Sequence, residues 1–191
     1  MDKTYNRATD EQIVEFSKNN PDAYEALVLR YWDKLFYFIK RIAYFSNEDT
    51  EDVLQEVFIK VYRYLNDFDD SFKFSTWIYQ ITRNCVVDEI RKKNSRAQNA
   101  NLSDEEMLKI FRSSANLEKE IIAKDQVGKI KNIINNLPFK YREIMILRFI
   151  EEKNYSEIME IVKKPKGTVA ALIMRGRKII MEEAKKQELF L

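Results

Sequence analysis

Apolar residues recur every three or four positions along most of the chain, the spacing that lines one face of an α-helix. From about 22 to 44 the set Tyr24, Leu27, Tyr31, Leu35, Phe38 and Ile42 keeps this step and predicts one long helix. Ahead of it, Thr9-Asp10-Glu11-Gln12 forms a capping box before Ile13 and Phe16, and Asn20-Pro21 ends that first helix. A third helix is predicted over about 48–66. Ser46 or Asn47 caps it, and acids fill its first turn, where the helix dipole favours them. Val53, Val57 and Val61 line its stripe, with Leu54, Phe58 and Leu65 close beside. The run from Asn66 to Lys73 reads as a loop. Ser75 or Thr76 then opens a fourth helix, 76–92, which ends in Arg91-Lys92-Lys93.

Residues 94–116, rich in Asn, Ser and Gln, read as a flexible linker, with room for a short helix capped by Ser103 and carrying Met107, Leu108 and Phe111. Beyond it, helices are predicted at about 118–135, 138–150, 155–162 and 167–187. No window shows sustained strand alternation. The expected fold class is all-α: two small helical domains, 1–93 and 117–191, on a flexible linker, the second a helix-turn-helix.

Composition narrows the chemistry. A chain of 191 residues holds one ordinary domain or two small ones. With no His, imidazole bases, Ser-His-Asp triads and HExxH zinc sites are impossible, and the lone Cys85 rules out a disulfide framework or a CxxC site. Three glycines cannot build clustered phosphate-binding loops. Much of enzyme chemistry is therefore excluded before any motif is read, and no catalytic residue, metal or cofactor is expected. The start, Met1 to Arg7, lacks an apolar signal core, and no apolar run reaches about 18 residues, so a cytoplasmic protein without membrane insertion is expected.

The net charge of +2 is unevenly spread. Residues 1–93 carry 14 bases and 17 acids, net −3; residues 94–118 carry 3 and 4, net −1; residues 119–191 carry 16 and 10, net +6. Glu48, Asp49, Glu51, Asp52 and Glu56 form an acidic block without a base. Lys163, Lys164, Lys166, Arg175, Arg177 and Lys178 form a basic block without an acid. A solvated helix face explains either run alone. The asymmetry points to nucleic acid at the basic end.

That end carries a motif. Tyr155 to Val162 is a short helix, Lys163-Lys164-Pro165-Lys166-Gly167 a tight turn, and Thr168 opens a longer helix. Two helices joined by such a turn fit a helix-turn-helix. Val169, Ile173, Gly176 and Ile180 share a stripe, where Gly176 admits a neighbouring helix closely. Ala170, Ala171, Met174, Arg175, Arg177 and Lys178 are left facing outward, as a major-groove helix flanked by phosphate-binding cations requires. A helical hairpin with a charged face is the plainer alternative.

In the first half, the acidic helix reads Asp49-Thr50-Glu51-Asp52-Val53-Leu54-Gln55-Glu56-Val57-Phe58. An aromatic segment follows, Phe72-Lys73-Phe74-Ser75-Thr76-Trp77-Ile78-Tyr79-Gln80-Ile81-Thr82-Arg83-Asn84. Trp77, Ile78 and Ile81 are expected in the core. Together with Leu137-Pro138-Phe139 through Phe149, Tyr155 to Val162 and Pro165 to Val169, these stretches resemble the sigma-70 family of bacterial RNA polymerase sigma factors. The match is to the small two-domain extracytoplasmic-function (ECF) group, in order and spacing over nearly the whole chain.

The resemblance implies a promoter-specificity subunit whose partners are core RNA polymerase (β and β′ subunits), promoter DNA and an anti-sigma factor. It makes 1–93 sigma region 2, 94–116 the linker and 117–191 sigma region 4. Asp49, Asp52, Gln55 and Glu56 fall on the surface that docks on β′; a basic partner would suit such carboxylates. Phe68, Phe72, Phe74, Tyr79, Arg83, Asn84, Arg91 and Lys92 fall in the part that opens the promoter −10 element, where an unstacked base needs apolar surface and the backbone needs cations. Lys164, Lys166, Thr168, Ala170, Ala171, Met174, Arg175, Arg177 and Lys178 fall on the −35 reader.

One departure is visible. Family members often carry polar residues after Gly-Thr-Val, where this chain has Ala170, Ala171 and Leu172, and a His where it has Met174. Either backbone amides, Thr168 and the distal arginines do more, or thymine methyls and DNA shape are read. Two other readings compete: a helix-turn-helix regulator that binds DNA alone as a dimer, and a carboxylate-metal protein, which lacks the His its Glu-x-x-His pairs would need.

Overall fold

Local side-chain caps set four of the helix starts. In the computed structural model, which describes residues 5, 7–99 and 126–189, helix α1 spans Asp10–Asn19. The Thr9 hydroxyl accepts from the Gln12 amide at 3.2 Å, and the Gln12 side chain accepts from the Thr9 amide at 2.9 Å. The predicted capping box is present. Asn20 caps α2 (Pro21–Ile42), and Ser46 caps α3 (Asn47–Arg63). A 3-10 turn follows at Leu65–Asp67, then α4 (Phe74–Asn99).

Helix α4 is longer than predicted at both ends. It starts at Phe74, because the Glu11 carboxylate of α1 accepts the Phe74 amide at 3.0 Å, a cap supplied from 63 residues away. It runs on to Asn99, because nothing from Asn94 to Asn99 is Gly or Pro and polar residues do not end a helix unaided. Six of the residues read as linker are thus helical; the remainder, with the Ser103-capped helix, lies outside the described residues.

The second half contains α5 (Gln126–Asn135), α6 (Phe139–Phe149), α7 (Tyr155–Val162) and α8 (Lys166–Lys186). Asn154 and Glu157 form a second capping box at α7. A Cβ at Gly176 would sit 2.9 Å from Met145 Sδ, so α8 and α6 meet as closely as expected of that glycine. The turn between α7 and α8 places Lys163 in the left-handed region at φ 50°. Gly167, by contrast, lies in the first turn of α8 with no positive φ. All regular structure among the described residues is helical, and none of these helices is long and apolar enough to cross a membrane.

The two halves share one apolar core. Leu27, Leu35, Phe38, Ile39 and Ile42 of α2 and Leu54 and Val57 of α3 pack in one buried cluster with Ile78 of α4, Ile144 and Ile146 of α6, and Ile158 of α7. Helix α4 lies against α7, and the end of α2 against α6. There Arg142 is buried. Its guanidinium donates to the Ile42 carbonyl at 2.9 and 3.2 Å and to the Asn135 carbonyl at 2.9 Å, and it stacks on Tyr44. It thereby satisfies carbonyls at the ends of α2 and α5 that no helical amide reaches.

Candidate polymerase and DNA interfaces

The acidic helix presents its charge outward because Val53, Leu54, Val57 and Phe58 turn its other face into the core. Of the four residues expected to meet polymerase, Asp52 and Gln55 are exposed. Asp49 is half-buried and receives Lys93 Nζ at 2.6 Å and the Ser46 hydroxyl at 2.8 Å. Burial pushes its carboxyl up, but these hydrogen bonds prevail and hold it below the usual range. Glu56 pairs with Lys60 at 2.7 Å, and that hydrogen bond lowers its carboxyl likewise. Asp49, Asp52, Gln55 and Glu56 lie on one helix flank.

The residues expected at the −10 element divide. Phe72 is 47% exposed at the loop tip. Phe74 is fully buried, edge-on to Tyr31 and Phe68 and beside Trp77. Of the two rings expected at the −10 element only Phe72 faces solvent, and Phe74 anchors the loop instead. Phe68 is also buried, in contact with Trp77. Trp77, Ile78 and Ile81 pack in or against the core, as expected. Asn84, Arg91 and Lys92 are exposed on α4, with Arg91 near Asp88 and Lys92 near Glu89.

Tyr79 and Arg83 are covered by the other half. The Tyr79 hydroxyl donates to Glu151 Oε2 at 2.5 Å, and its ring lies under Lys153 at 4.5 Å. Burial, then the Glu151 charge, pushes its phenol far above the ordinary value. Arg83 donates to Glu143 at 3.0 and 3.4 Å. Glu143 is 1% exposed, and burial raises its carboxyl although Arg83 opposes the shift. Lys73 in the loop donates to Glu157 at 2.8 Å, and Arg41 to Glu151 at 3.1 Å.

The helix-turn-helix is open to solvent. Lys166, Thr168, Ala170, Met174, Arg175, Arg177 and Lys178 are exposed on α8, and Lys164 and Ala171 are half-exposed. Val169, Ile173 and Gly176 are buried, as the stripe predicts. Among the described residues the only ion pair of this set is Lys178 to Glu182 at 3.9 Å. An open groove of about 490 Å³ between Tyr155 and α8 is floored by Ile173, Met174 and Met181 and edged by Arg177, Lys178 and Lys185. Exposed cations around an apolar, donor-poor helix face can take phosphates at the edge, and the face itself methyl groups at the centre.

Two sequence families match, described as Sigma-70 region 2 over residues 27–96 and Sigma-70 region 4 over residues 128–180. The ECF RNA polymerase sigma factor SigW of Bacillus subtilis is 33% identical over 179 residues, covering 91% of this chain and 95% of the relative. The chain belongs to the ECF sigma factors. The ECF RNA polymerase sigma-E factor of Haemophilus influenzae is 32% identical over 178 residues, 90% of this chain and 93% of its own. In fold, this sigma factor is similar to the sigma factor RpoE of Bartonella quintana, solved in complex with the anti-sigma factor NepR. The TM-score is 0.67 at 19% identity, with 85% of this chain and 96% of that one covered. CnrH, solved in complex with the cytosolic domain of CnrY, gives a TM-score of 0.66 at 20% identity, with 93% and 97% covered.

As a sigma factor, the protein binds core RNA polymerase and directs it to promoters for transcription initiation. The reading as a regulator that binds DNA without polymerase is not favoured. Sigma factors are initiation factors rather than catalysts. What sequence reading missed is the seam of this sigma factor. Arg142 and Glu143 lie inside the stretch that carries the family resemblance, yet nothing in it marks them as seam residues; the one signal available was the Arg142-Glu143 pair directly before the apolar run Ile144 to Leu147.

Proposed function

We propose that the acidic flank of α3 docks on the β′ subunit of core polymerase, that the Phe72 loop and α4 open and hold the −10 element, and that α7 and α8 read the −35 element. In this reading residues 1–93 are sigma region 2 and residues 117–191 sigma region 4, and the chain has no catalytic centre of its own. The observation that carries it is the separation of charge. Solvent-facing carboxylates on α3 suit a protein partner with a basic surface, and solvent-facing cations on α8 suit phosphate. An anti-sigma factor is a natural partner, since the similar RpoE and CnrH were each solved with one bound partner.

The donor-poor face of Ala170, Ala171 and Met174 supports −35 recognition through thymine methyls and groove shape, with Thr168 and the arginines on the backbone. The test is in vitro transcription from a randomised promoter library by core polymerase with and without the purified chain. Enrichment of two spaced elements that depends on the chain supports the reading. A footprint on duplex DNA without polymerase, at a palindrome, would overturn it.

A further inference from the structure

Sulfur chemistry in this chain is open at its methionines and closed at its thiol. Cys85, the one cysteine, is buried, and that burial pushes its thiol up and away from the reactive thiolate. Of the six methionines, Met1 and Met107 lie outside the described residues. Met145 is 2% exposed, against Gly176, and Met159 is half-buried. Met174 and Met181 are the open ones, at 67% and 57%. Both lie on α8, about two turns apart on one face, and line the same groove beside Arg177, Lys178 and Lys185. Met174 follows Ala170 and Ala171 by one turn, on the face proposed to read the −35 element. Neither alanine has a polar side-chain atom, so the Met174 thioether is the largest apolar group this face offers a thymine methyl.

We propose that Met174 is a modification site: a two-electron oxidant of the peroxide class converts its thioether to the sulfoxide, and this changes which −35 sequence the protein selects. The inference rests on the reading of the −35 element by α8.

In the step, the sulfur lone pair attacks one oxygen of hydrogen peroxide. An S–O bond forms as the O–O bond breaks, and the other oxygen leaves as water with both peroxide hydrogens. Sulfur loses two electrons and the peroxide gains them. The step takes no proton from the protein, so it needs no acid or base beside the sulfur. Access decides the site, and access favours Met174 over Met145. The product is polar and is returned to the thioether by methionine sulfoxide reductases. Its oxygen is a hydrogen-bond acceptor. Against a thymine methyl that oxygen loses water and finds no partner, which is unfavourable. Against the amino group of adenine or cytosine in the major groove it finds a donor. Oxidation therefore replaces a reader of methyl groups with a reader of amino groups. Met181 lies farther along α8 among the cations that meet phosphate, so its sulfoxide should leave base preference alone.

The experiment treats the full chain with hydrogen peroxide, removes the peroxide with catalase and maps the added oxygen by peptide mass spectrometry. Met174 should be oxidised well before Met145, with the melting temperature unchanged. The treated chain, assembled with core polymerase, is then selected on a library randomised at the −35 element. The selected motif should lose thymine at one position, and affinity for the motif of the untreated protein should fall about tenfold, the scale of one polar group desolvated without a partner. Sulfoxide reductase should restore both. Met174→Leu, compared only with itself before and after peroxide, should show no change, whereas Met181→Leu should keep the wild-type response. Oxidation of Met145 as fast as Met174, an unchanged motif once Met174 is oxidised, or a response that survives in Met174→Leu would overturn the proposal. Ala171→Lys in the same selection separates the causes of an unchanged motif. If that substitution alters the motif, only the oxidation switch has failed; if it too changes nothing, the reading of the −35 element by α8 has failed.

Discussion

Two phenylalanines two residues apart do different work. Phe74 is fully buried among Tyr31, Phe68 and Trp77, so Phe74→Ala should cost about 3–5 kcal/mol of stability, as large-to-small changes of buried aromatics do. Phe72 is exposed, and Phe72→Ala should change stability by less than about 0.5 kcal/mol. Its effect should fall on promoter opening, by roughly the 1–3 kcal/mol that one stacked base is worth. Urea denaturation and transcription from duplex and pre-melted promoters separate the two; a Phe72→Ala defect that persists on the pre-melted template counts against stacking. The sequence made both rings look alike, because each sits in a polar loop. Their difference comes from Glu11, far away in the chain, which caps α4 at Phe74. Lys163 was hidden for another reason: a left-handed helix end is read from Gly or Asn, and this chain places a lysine there.

Helices were legible where capping and periodicity agreed. Thr9, Ser46 and Asn154 cap where local rules put them, and α7 falls on its predicted residues. On α3 the outward flank makes its own prediction. Asp52 is exposed and engages in no ion pair among the described residues, whereas Asp49 and Glu56 are tied to Lys93 and Lys60. Asp52→Lys should therefore weaken binding to core polymerase with little change in melting temperature, and a normal core affinity in a fluorescence titration would remove α3 from the interface. On α8, Ala171→Lys adds a donor near the base edges and should change the selected −35 sequence, since a good pair discriminates by about 1–3 kcal/mol. Arg177→Ala should instead weaken binding across all sequences and reduce the slope of log K against log salt by about 0.9. A library selected with holoenzyme at two salt concentrations reads both. The reverse pattern would mean that the distal turns of α8 do the reading.

At the scale of the whole molecule, the fold class was legible and the seam was not. Two helical units follow from periodicity alone, but periodicity says nothing about which charged side chain ends up between them. Arg142 shows the consequence. Its loss would leave the Ile42 and Asn135 carbonyls without their charged donor, and hydrogen bonds to charged groups contribute about 1.5–3 kcal/mol each. Calorimetry of the wild-type chain should show one cooperative transition, and Arg142→Ala should split it into two. One unshifted peak in the variant would show that the halves are coupled by the apolar cluster alone. The amino-terminal helix bears on how the molecule can be divided. The matched region 2 begins at residue 27, inside α2. A fragment cut there would lose Ile13 and Val14 from the core, the Asn20 cap of α2 and the Glu11 carboxylate that starts α4. The smallest faithful fragment of this half begins before Thr9, and a domain boundary drawn from family alignment alone would yield a piece whose promoter-facing loop has lost its anchor.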